Sequence, residues 1–557
     1  MVYEDVKLLR KYVARSGDTL RFVAHHLDMD LGHLMLENPH IALPDSDIAG
    51  QVITIPSETH PASQQRLIAP FCPPLTEPEY LRTWIPLTTA EQMAAEEYDV
   101  LIIGTGAGGG AALWRLCEQW GKNGKKIGIV ERGPLFVPTH VANIATINFN
   151  TFRAYRPPEV TYMAGDYLPQ FPGMKLIYAL GGRTLLWGAV SPRMYPGEFA
   201  DWPVTAAEME FYYKIAENVM NVTTDYTKDS TVTQILLKRL WENGYPEALD
   251  IPIATELTPT QLGHIRSNVF FSSILFFARA LSKRPFDLAV NTTAVQVLTE
   301  NGRAAGVRVM TPDRRSHVIR AKTVIVSASA LQTARLLLNS KIPGPAIGHY
   351  LTNHSYLVAT PKVNTTGFPD ELGTLGILVP QSAGRPYQLQ FQGLEQYFHY
   401  QYEEKPRKNE WDLTYFVSGK VESRFENMVY IDPNRIDYYG MPEPQIRFSY
   451  SAKDGEVIRL METAMRQAAS TMQLSFPPGS VCMMPPGTDN HESGTCRMGT
   501  NPSTSATNAY GQIHGIPGLY CADASVLPSI GATNPTLTIV ALAIRTADYI
   551  AREMQSN

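Results

Sequence analysis

The sequence predicts an α/β protein, α+β overall, in which a Rossmann-like domain is interrupted by a second domain built on an antiparallel sheet. YDVLIIGTGAGGGAALWRLCEQW, which starts at Tyr98, has the pattern of a buried strand, a glycine turn and a helix, and KIGIVERG supplies the next strand. Residues 356–480 contain alternating segments instead, namely YQLQFQ, EWDLTYFVSGKV and PQIRFSYS. The first pattern is one half of a dinucleotide-binding fold, and the second predicts an antiparallel sheet.

Length and charge narrow the class of protein. The chain has 557 residues, is 44% apolar and carries a net charge of -5, which allows two or three domains around a sizeable core. The charges are mixed in sign and no Lys/Arg run is interleaved with aromatics, which argues against nucleic acid as a partner. No stretch approaches the ~18 apolar residues of a membrane span, and the first residues lack the apolar core of a secretory signal. A cytoplasmic protein without a transmembrane segment is therefore expected.

The five cysteines argue against a disulfide framework. They are odd in number, widely spaced and without a CxxC pair or clustered histidines, so neither disulfides nor a metal site is predicted. Buried free thiols are expected instead.

Residues 10–57 predict a separate βααβ module. YVARSGDTLRFVAHHL alternates at first and takes a helical period after Asp18, and GQVITIP closes the segment with β-branched residues. GDTL, ENP and GQVITIP resemble the fingerprint of LysM domains, which bind glycans containing N-acetylglucosamine. The resemblance implies a glycan-docking arm, and an appendage that packs on the rest of the chain or mediates assembly is the alternative. Residues 58–96 are rich in proline and predict an extended linker.

The glycine turn has the spacing of a dinucleotide site. Gly104, Gly106 and Gly109 form GxGxxG, where backbone can approach a pyrophosphate at the helix N-terminus. Glu131 ends the next strand, 22 residues after Gly109, in the position where a carboxylate accepts from both ribose hydroxyls. This context predicts FAD or NAD. Glycines that serve only helix–strand packing are the alternative.

Four ordered motifs resemble the glucose-methanol-choline (GMC) FAD-dependent oxidoreductases. They are LGGRTLLWGAV, VIVSASALQTARLLLNS with GHYLTNH, HESGTCRMGT, and LYCADASVLP with GATNPTLTIVALAIRTADYI. The resemblance spans nearly everything from Tyr98 to Ile550. WGAVSPRM followed by DWPVT, IDYYGMPEPQIRFSYSAKD and ATNPTLT are most similar to pyranose oxidases and bacterial glycoside oxidases. The resemblance assigns an FAD-binding domain to residues 97–150, 175–200, 256–350 and 485–557, and a substrate-binding domain to 151–174, 201–255 and 351–484.

Two residues are candidates for catalysis. An alcohol gives up a hydride only as its O–H proton leaves, so the site needs a base within hydrogen-bond reach of that hydroxyl. His491, which opens HxxGTC, stands at the family's base position, and an imidazole titrates near neutrality. Asn534, in NPT, matches the second catalytic position, where an amide can orient the substrate oxygen. Capping of the last helix by Asn534 is the structural alternative.

The resemblance places further residues at the flavin. Gly181, Gly182 and Trp187 belong to a flavin-facing loop, and Asp523 and Ala524 belong to the stretch that lines the ribityl or pyrophosphate region. Pyranose oxidases often attach FAD through a histidine of this loop, but Leu186 stands at the matching position. Leucine cannot form that bond, so FAD is predicted to be non-covalent.

The sequence therefore predicts oxidation of a CH–OH group to a carbonyl by hydride transfer to flavin N5. A ring secondary hydroxyl of a pyranose or glycoside is the expected substrate, and oxygen or a quinone-like compound is the expected electron acceptor. One alternative is a GMC enzyme for a non-sugar alcohol of natural-product metabolism, and another is a glycan-binding LysM protein with an inert flavin body. EQYFHYQYEE, residues 395–404, fits either a sugar-stacking lid or a surface loop.

Overall fold

The computed structural model describes residues 10–27, 29, 31–41, 43–55, 67–68, 85–144, 146–147, 160–163, 168–257, 269–394 and 408–556. The chain divides into two compact units, residues 1–71 and 72–557. Most of the predicted linker and the aromatic segment 395–404 lie outside the described residues.

The first unit has the predicted order of strand, two helices and strand. It contains β1 (Arg10–Val13), α1 (Leu20–His26), α2 (Leu31–Leu36), β2 (Val52–Ile55) and the two-residue strand β3 (Leu67–Ile68). β1 and β2 pair in antiparallel fashion, and Leu20, Leu34 and Ile53 form part of a small buried core. The side chain of Asn38, in the ENP segment, donates to the carbonyls of Leu34 and Thr54 and accepts from the Thr54 N–H. Asn38 therefore fixes the end of α2 to β2.

The helices and strands of the second unit follow in chain order. Its helices are α3 (Ala90–Ala94), α4 (Ala107–Trp120), α5 (Ala206–Met220), α6 (Thr231–Glu242), α7 (Ile274–Leu281), α8 (Ala330–Asn339), α9 (Ala452–Thr471) and α10 (Thr536–Ser556). Its strands are β4 (Glu97–Ile103), β5 (Ile127–Val130), β6 (Thr161–Met163), β7 (Lys175–Ile177), β8 (Val222–Thr223), β9 (Leu249–Asp250), β10 (Ile253–Glu256), β11 (Val269–Phe270), β12 (Asp287–Ala289), β13 (Thr293–Glu300), β14 (Arg303–Met310), β15 (Ser316–Val326), β16 (Ser355–Ala359), β17 (Lys362–Asn364), β18 (Gly376–Val379), β19 (Tyr387–Gln392), β20 (Glu410–Asp412), β21 (Thr414–Gly419), β22 (Met428–Ile436), β23 (Pro442–Arg447), β24 (Leu474–Ser475), β25 (Val481–Met483) and β26 (Leu519–Cys521). Helix α3 occupies the last residues of the segment that the sequence predicted to be a linker.

A parallel sheet forms the nucleotide-binding half of the second unit. β12, β5, β4 and β15 run parallel in that order, and β26 pairs with the last residues of β15. β13 and β14 extend the sheet in antiparallel fashion from the first half of β15. α4 connects β4 to β5 and packs against α10 and α7. The carboxyl ends of β4, β5, β15 and β26 therefore open on the same edge, which is where a dinucleotide binds in such sheets.

A six-stranded antiparallel sheet forms the other half, in the order β25-β16-β21-β19-β18-β9. Side chains alternate between its two faces with a period of two. Leu389, Phe391 and Val417 point to one face and join a buried core with α6 and α9. Gln388, Gln390 and Gln392 lie on the opposite face and are also buried. This polar face is available for a functional site.

The single antiparallel sheet that the sequence predicted over residues 356–480 is divided. β20, β17 and β24 form a separate three-stranded sheet, and β23 pairs with β22 instead of joining the six-stranded sheet. The β22–β23 hairpin packs against α8, where Arg335 donates to the carbonyls of Met441 and Pro442. Small antiparallel pairings also join β8, β10 and β11, and β6 with β7.

The predicted fold class is confirmed in this architecture. Among the described cysteines, Cys117, Cys496 and Cys521 are buried free thiols as expected, but Cys482 is exposed on the edge strand β25, so the prediction of a buried thiol is wrong there. No helix among the described residues has both the length and the apolar character that a bilayer span requires. The cytoplasmic location stays a prediction.

Candidate active site

In the glycine turn after β4, main-chain atoms approach main-chain atoms of the segment after β15 and of the turn itself. Gly104 has φ +95, and a Cβ there would lie 2.3 Å from the Ser327 carbonyl oxygen. A Cβ on Gly109 would lie 1.9 Å from the carbonyl oxygen of Gly104, whereas Gly106 has open space beside it. Gly104 and Gly106 line the cleft, while Gly109 serves the packing of α4 on β4. Gly109 therefore has a packing role and Gly104 and Gly106 line the cleft, while the cofactor contacts of all three stay a prediction.

Thr105 connects three of the predicted cofactor segments. Its hydroxyl donates to Glu131 at 2.6 Å and accepts from the N–H of Gly181 at 2.9 Å. Glu131 also accepts from the N–H groups of Thr105 and Gly133, and its burial raises the pKa of its carboxyl although these hydrogen bonds oppose the rise. Glu131 thus lies at the end of β5 with its carboxylate fixed beside the glycine turn.

The loop 181–187 follows a left-handed turn at both of its glycines. Gly181 has φ +98 and Gly182 has φ +56, and a Cβ on Gly182 would lie 3.3 Å from the Gly106 Cα. The Trp187 indole N–H donates to the Phe271 carbonyl at 2.9 Å, which fixes the ring at the wall of the cleft. Leu186 lines the adjoining cavity. The loop therefore lies against the glycine turn at Gly182, and the flavin contacts of Gly181, Gly182 and Trp187 stay a prediction.

Asp523 closes the opposite wall of the cleft at the end of β26. Its carboxylate accepts from the Ser525 N–H at 2.8 Å, from the Ser329 N–H at 3.0 Å and from the Thr333 hydroxyl at 2.5 Å. Burial raises the pKa of Asp523, and these hydrogen bonds limit the rise. Asp523 and the adjacent Ala524 both line the cleft.

The residues that line the cleft are chemically suited to bind an adenine dinucleotide. About 1320 Å³ of empty space, including the open mouth, lies between the glycine turn with Glu131 and the pair Trp187 and His491. The side chain-free backbone of Gly104 and Gly106 lies at the N-terminus of the 14-residue helix α4, where N–H groups and the helix dipole favour a pyrophosphate. Glu131 would meet the ribose, and Trp187 and His491 would lie at the isoalloxazine end.

A second cavity adjoins the cleft and shares His491 and Trp187 with it. It has about 1200 Å³ of empty space and is lined by Gln390 and Gln392 of β19, and by the stacked rings of Tyr356 and Phe416, 5.6 Å apart. Asn534 lines the same cavity. The structure therefore brings the two predicted catalytic residues together in one cavity beside the cofactor cleft.

His491 is carried by a loop that is fixed by main-chain bonds. Thr352 and Ser493 exchange two backbone hydrogen bonds of 2.9 Å, which join the loop to the chain just before β16. Asn490 has φ +58, a left-handed conformation that asparagine tolerates better than most residues, and it turns the chain between Asp489 and His491. Arg183 of the glycine loop donates to the Asn490 carbonyl at 3.0 Å. The loop 181–187 and the loop that carries His491 are therefore held together.

Three side chains meet at Nδ1 of His491. The nitrogen lies 3.2 Å from Oδ2 of Asp489 and 3.1 Å from Nδ1 of His354, and His354 Nδ1 lies 3.1 Å from the same Asp489 oxygen. The side chains of Asp489 and His354 are 1% and 0% exposed, whereas His491 is 18% exposed. Burial acts to raise the pKa of Asp489, but the interaction with the two adjacent histidines holds it well below its usual range. Burial lowers the pKa of His354 despite the nearby carboxylate. The directions of these two pKa shifts favour a carboxylate at Asp489 and a neutral imidazole at His354.

Asn534 is positioned by the polar face of β19. Its Oδ1 accepts from Nε2 of Gln388 at 2.9 Å and from Nε2 of Gln390 at 2.5 Å. Helix α10 begins at Thr536, and the carbonyl of Pro535 accepts from the Ile539 N–H. The Asn534 oxygen thus accepts from two glutamines of β19, and a helix-cap role beside this stays a prediction. Its amide NH₂ remains available to a ligand.

A buried network holds the segment before Asn534. The Glu198 carboxylate accepts from Gln381 at 2.7 Å, from Lys420 at 2.9 Å and from the Ser529 hydroxyl at 3.0 Å. Gln381 in turn accepts from the Ala532 N–H at 2.7 Å. Sequence reasoning missed this network, as it missed Thr105, Asp489 and His354. Thr105 stands within the glycine motif and His354 at the end of GHYLTNH, but neither motif indicates the partners of these side chains.

Comparison with known families identifies the chain. Two models described as "GMC oxidoreductase", an N-terminal and a C-terminal one, match residues 163–356 and 423–543, together more than half of the sequence. The chain belongs to the GMC oxidoreductases. It is an enzyme that acts on alcohol groups, and the predicted FAD cofactor is confirmed for this family.

Several characterised relatives cover most of the chain. A 2-methyl-1,2-propanediol dehydrogenase of Mycolicibacterium austroafricanum is 26% identical over 82% of this chain and 96% of the relative. A C-glycoside 3-oxidase of Arthrobacter globiformis is 29% identical over 72% of this chain and 80% of the relative. A pyranose 2-oxidase of Tricholoma matsutake is 24% identical over 68% of this chain and 73% of the relative. The predicted likeness to pyranose and glycoside oxidases is confirmed.

A solved structure shares the fold. Pyridoxine 4-oxidase from Mesorbium loti superposes with a TM-score of 0.61 at 15% identity, over 83% of this chain and 99% of the other. At this identity the likeness concerns the fold alone.

Thr105→Val is expected to weaken FAD binding. The substitution keeps the shape of the side chain but leaves the Gly181 N–H and Glu131 each without one hydrogen-bond partner, at a cost of about 1–3 kcal/mol. The Kd of the apoprotein for FAD should rise roughly 5- to 150-fold in a flavin fluorescence titration. Thr463→Val, at an exposed position of α9, is the matched control and should leave the Kd unchanged. An unchanged Kd in Thr105→Val would show that these hydrogen bonds do not shape the cleft.

Proposed function

We propose that this enzyme oxidises a secondary ring hydroxyl of a pyranose or glycoside to a ketone, with FAD as the hydride acceptor. The lining of the second cavity carries the proposal. Gln390 and Gln392 present amides, and Tyr356 and Phe416 present aromatic rings, next to His491 and Asn534. Aromatic surfaces combined with polar groups suit a ring that bears several hydroxyls. A small aliphatic alcohol would leave buried amides unpaired, which is costly.

His491 and Asn534 are proposed to act on one hydroxyl. Because Nδ1 of His491 faces Asp489, Nε2 is the ring nitrogen available to accept the O–H proton. Because Oδ1 of Asn534 is bound by glutamines, its NH₂ group is the part available to donate to the substrate oxygen. FAD, when bound, supplies the acceptor for the hydride that leaves the carbinol carbon.

The relatives support a sugar substrate without identifying it. The C-glycoside 3-oxidase and the pyranose 2-oxidase act on sugar rings by their names, and each matches about two thirds of this chain or more. The carbon that is oxidised and the electron acceptor, oxygen or a quinone-like compound, are parts of the proposal that a product analysis and a reoxidation assay would determine.

A non-sugar alcohol is the second candidate substrate. The likeness to 2-methyl-1,2-propanediol dehydrogenase favours it, because that match extends over 82% of the chain. A glycan-binding protein with an inert flavin body fits poorly with the family and with His491 and Asn534 in a single cavity.

The N-terminal unit is proposed to bind glycans that contain N-acetylglucosamine. Its order of elements matches the LysM-like prediction, and Asn38 of the ENP segment has a structural role in it. An appendage that mediates assembly is the alternative role of this unit.

His491→Ala is expected to slow flavin reduction by roughly 10²- to 10⁴-fold, since a positioned general base contributes about this much. The measurement is stopped-flow flavin absorbance without oxygen, against D-glucose, other pyranoses, glycosides and small diols. His25→Ala, an exposed histidine of the N-terminal unit, is the control and should retain the wild-type rate. Bleaching of the wild-type flavin by diols and by no sugar would move the substrate to the second candidate, and an unchanged rate in His491→Ala would refute the mechanism.

FAD is expected to leave the protein on acid precipitation. Leu186 stands where a covalent histidine would be and cannot bond to the flavin. Yellow colour in the supernatant and a colourless pellet would agree with non-covalent FAD. Flavin retained by the washed pellet would contradict it.

Full-length protein is expected to co-sediment with insoluble chitin or peptidoglycan, and cellulose serves as the control polysaccharide. Binding to the first two polymers but not to cellulose would support the glycan-docking role. Equal distribution over all three would assign the N-terminal unit to assembly or packing instead.

A further inference from the structure

The cluster around Nδ1 of His491 has a defined arrangement of hydrogens. An ionised carboxylate only accepts hydrogen bonds, and a neutral imidazole carries one N–H. Asp489 is a buried carboxylate with its Oδ2 3.2 Å from Nδ1 of His491. If that nitrogen were unprotonated, its lone pair would face the negative oxygen. The hydrogen of neutral His491 therefore belongs on Nδ1.

His354 offers the one competing arrangement within this cluster. Its Nδ1 lies 3.1 Å from Nδ1 of His491 and could donate to it, which would move the hydrogen of His491 to Nε2. The same His354 nitrogen lies 3.1 Å from the Asp489 oxygen. Neither Asp489 oxygen accepts a hydrogen bond of acceptable geometry, so the carboxylate acts on the imidazoles through its charge. Its negative charge 3.2 Å away favours a hydrogen on Nδ1 of His491, which can then donate to Nδ1 of His354.

We propose that Asp489 is a positioning residue for the base: its negative charge beside Nδ1 of His491 holds the hydrogen on that nitrogen and leaves Nε2 unprotonated toward the cavity. The inference rests on the proposed role of His491. The substrate hydroxyl proton moves to Nε2, and the positive charge that His491 then carries is balanced by the buried carboxylate beside it. Burying such a charge without a partner would be costly.

The local backbone supports this pairing. The left-handed turn at Asn490 lies between the two residues, and the Thr352–Ser493 hydrogen bonds hold His354 and His491 side by side. Neither Asp489 nor His354 is exposed enough to be the proton acceptor itself, since their side chains are 1% and 0% exposed. Only His491 of the three reaches both the cofactor cleft and the cavity in its lining.

Asp489→Asn tests the proposal in the holoenzyme. The amide has the same shape but can donate to Nδ1, which would place the hydrogen of His491 on Nε2 and block the base. The rate of anaerobic flavin reduction by a substrate should fall by roughly 10³- to 10⁴-fold, comparable with the loss from the same change in the serine protease triad. Substrate Kd, the flavin spectrum and reduction by dithionite should change little. Asp489→Glu, which keeps the carboxylate, should recover part of the rate.

Asp454→Asn is the matched control. Asp454 belongs to the capping box at the start of α9 and is 1% exposed, so its change neutralises a buried carboxylate outside the cluster. It should leave the flavin reduction rate unchanged. A rate within tenfold of wild type in Asp489→Asn would overturn the proposal, because a merely structural role tolerates the isosteric amide.

Two further results would also overturn it. Equal losses in Asp489→Asn and Asp489→Glu with an altered flavin spectrum would show a structural role. Stoichiometric zinc in the purified holoenzyme, whose removal by a chelator changes the rate, would make the three side chains a metal site, since their ligand atoms lie within 4.8 Å of one another.

Nitrogen-15 NMR of histidine-labelled wild-type holoenzyme tests the tautomer without any change at Asp489. The signal absent from His491→Gln identifies the residue, and a hydrogen on Nδ1 is expected, whereas a hydrogen on Nε2 would overturn the proposal. If no alcohol reduces the wild-type flavin, the proposed substrate chemistry is wrong. The NMR spectrum still decides which nitrogen of His491 carries the hydrogen, because it needs no substrate.

Discussion

The close approach of backbones at the glycine turn is the constraint on which the rest of the second unit depends. A Cβ on Gly104 would lie 2.3 Å from the Ser327 carbonyl oxygen at the end of β15, and one on Gly108 would lie 1.8 Å from the Ala522 carbonyl oxygen at the end of β26. Side chains at these positions would force β4, α4, β15 and β26 apart. The cofactor cleft is the space that this contact defines, and Asp523 enters the cleft directly after Ala522.

The two candidate catalytic residues depend on the same contact through the chain that follows. From Ala522 the backbone leads to Asn534, whose oxygen is held by two glutamines of the antiparallel sheet. His491 reaches the same cavity from a loop that two main-chain bonds fix to the chain before β16. The parallel sheet thus bounds the cofactor cleft, and the polar face of β19 bounds the second cavity. His491 lies in the lining of both.

Much of this organisation follows from short-range sequence patterns. The apolar run, glycines and helical period after Tyr98 predicted β4 and α4. The period of two in YQLQFQ also predicts that Gln388, Gln390 and Gln392 share a face, because strand geometry alone requires it. Motif resemblance added His491 and Asn534, which the structure places in one cavity.

The remaining features depend on contacts between distant residues. His354 and His491 are 137 residues apart, and nothing in the sequence near either one shows that they share a carboxylate. Thr105 has an ordinary position in the glycine motif, and its role arises from Glu131 and Gly181, which come from other segments. The division of residues 356–480 into separate sheets has the same origin, since alternation predicts strands but not their partners. Gly109 likewise contacts another part of the turn, since a Cβ there would lie 1.9 Å from the Gly104 carbonyl oxygen.

The most direct test of the account is the isotope effect on flavin reduction. Wild-type holoenzyme is mixed without oxygen with the pyranose, glycoside or diol that bleaches its flavin, once with hydrogen and once with deuterium on the carbinol carbon. Transfer of that hydrogen as a hydride predicts a clearly slower bleaching with the deuterated substrate. Equal rates at every substrate concentration, or a flavin that no alcohol bleaches, would contradict the claim that this cavity oxidises a CH–OH group beside His491 and Asn534.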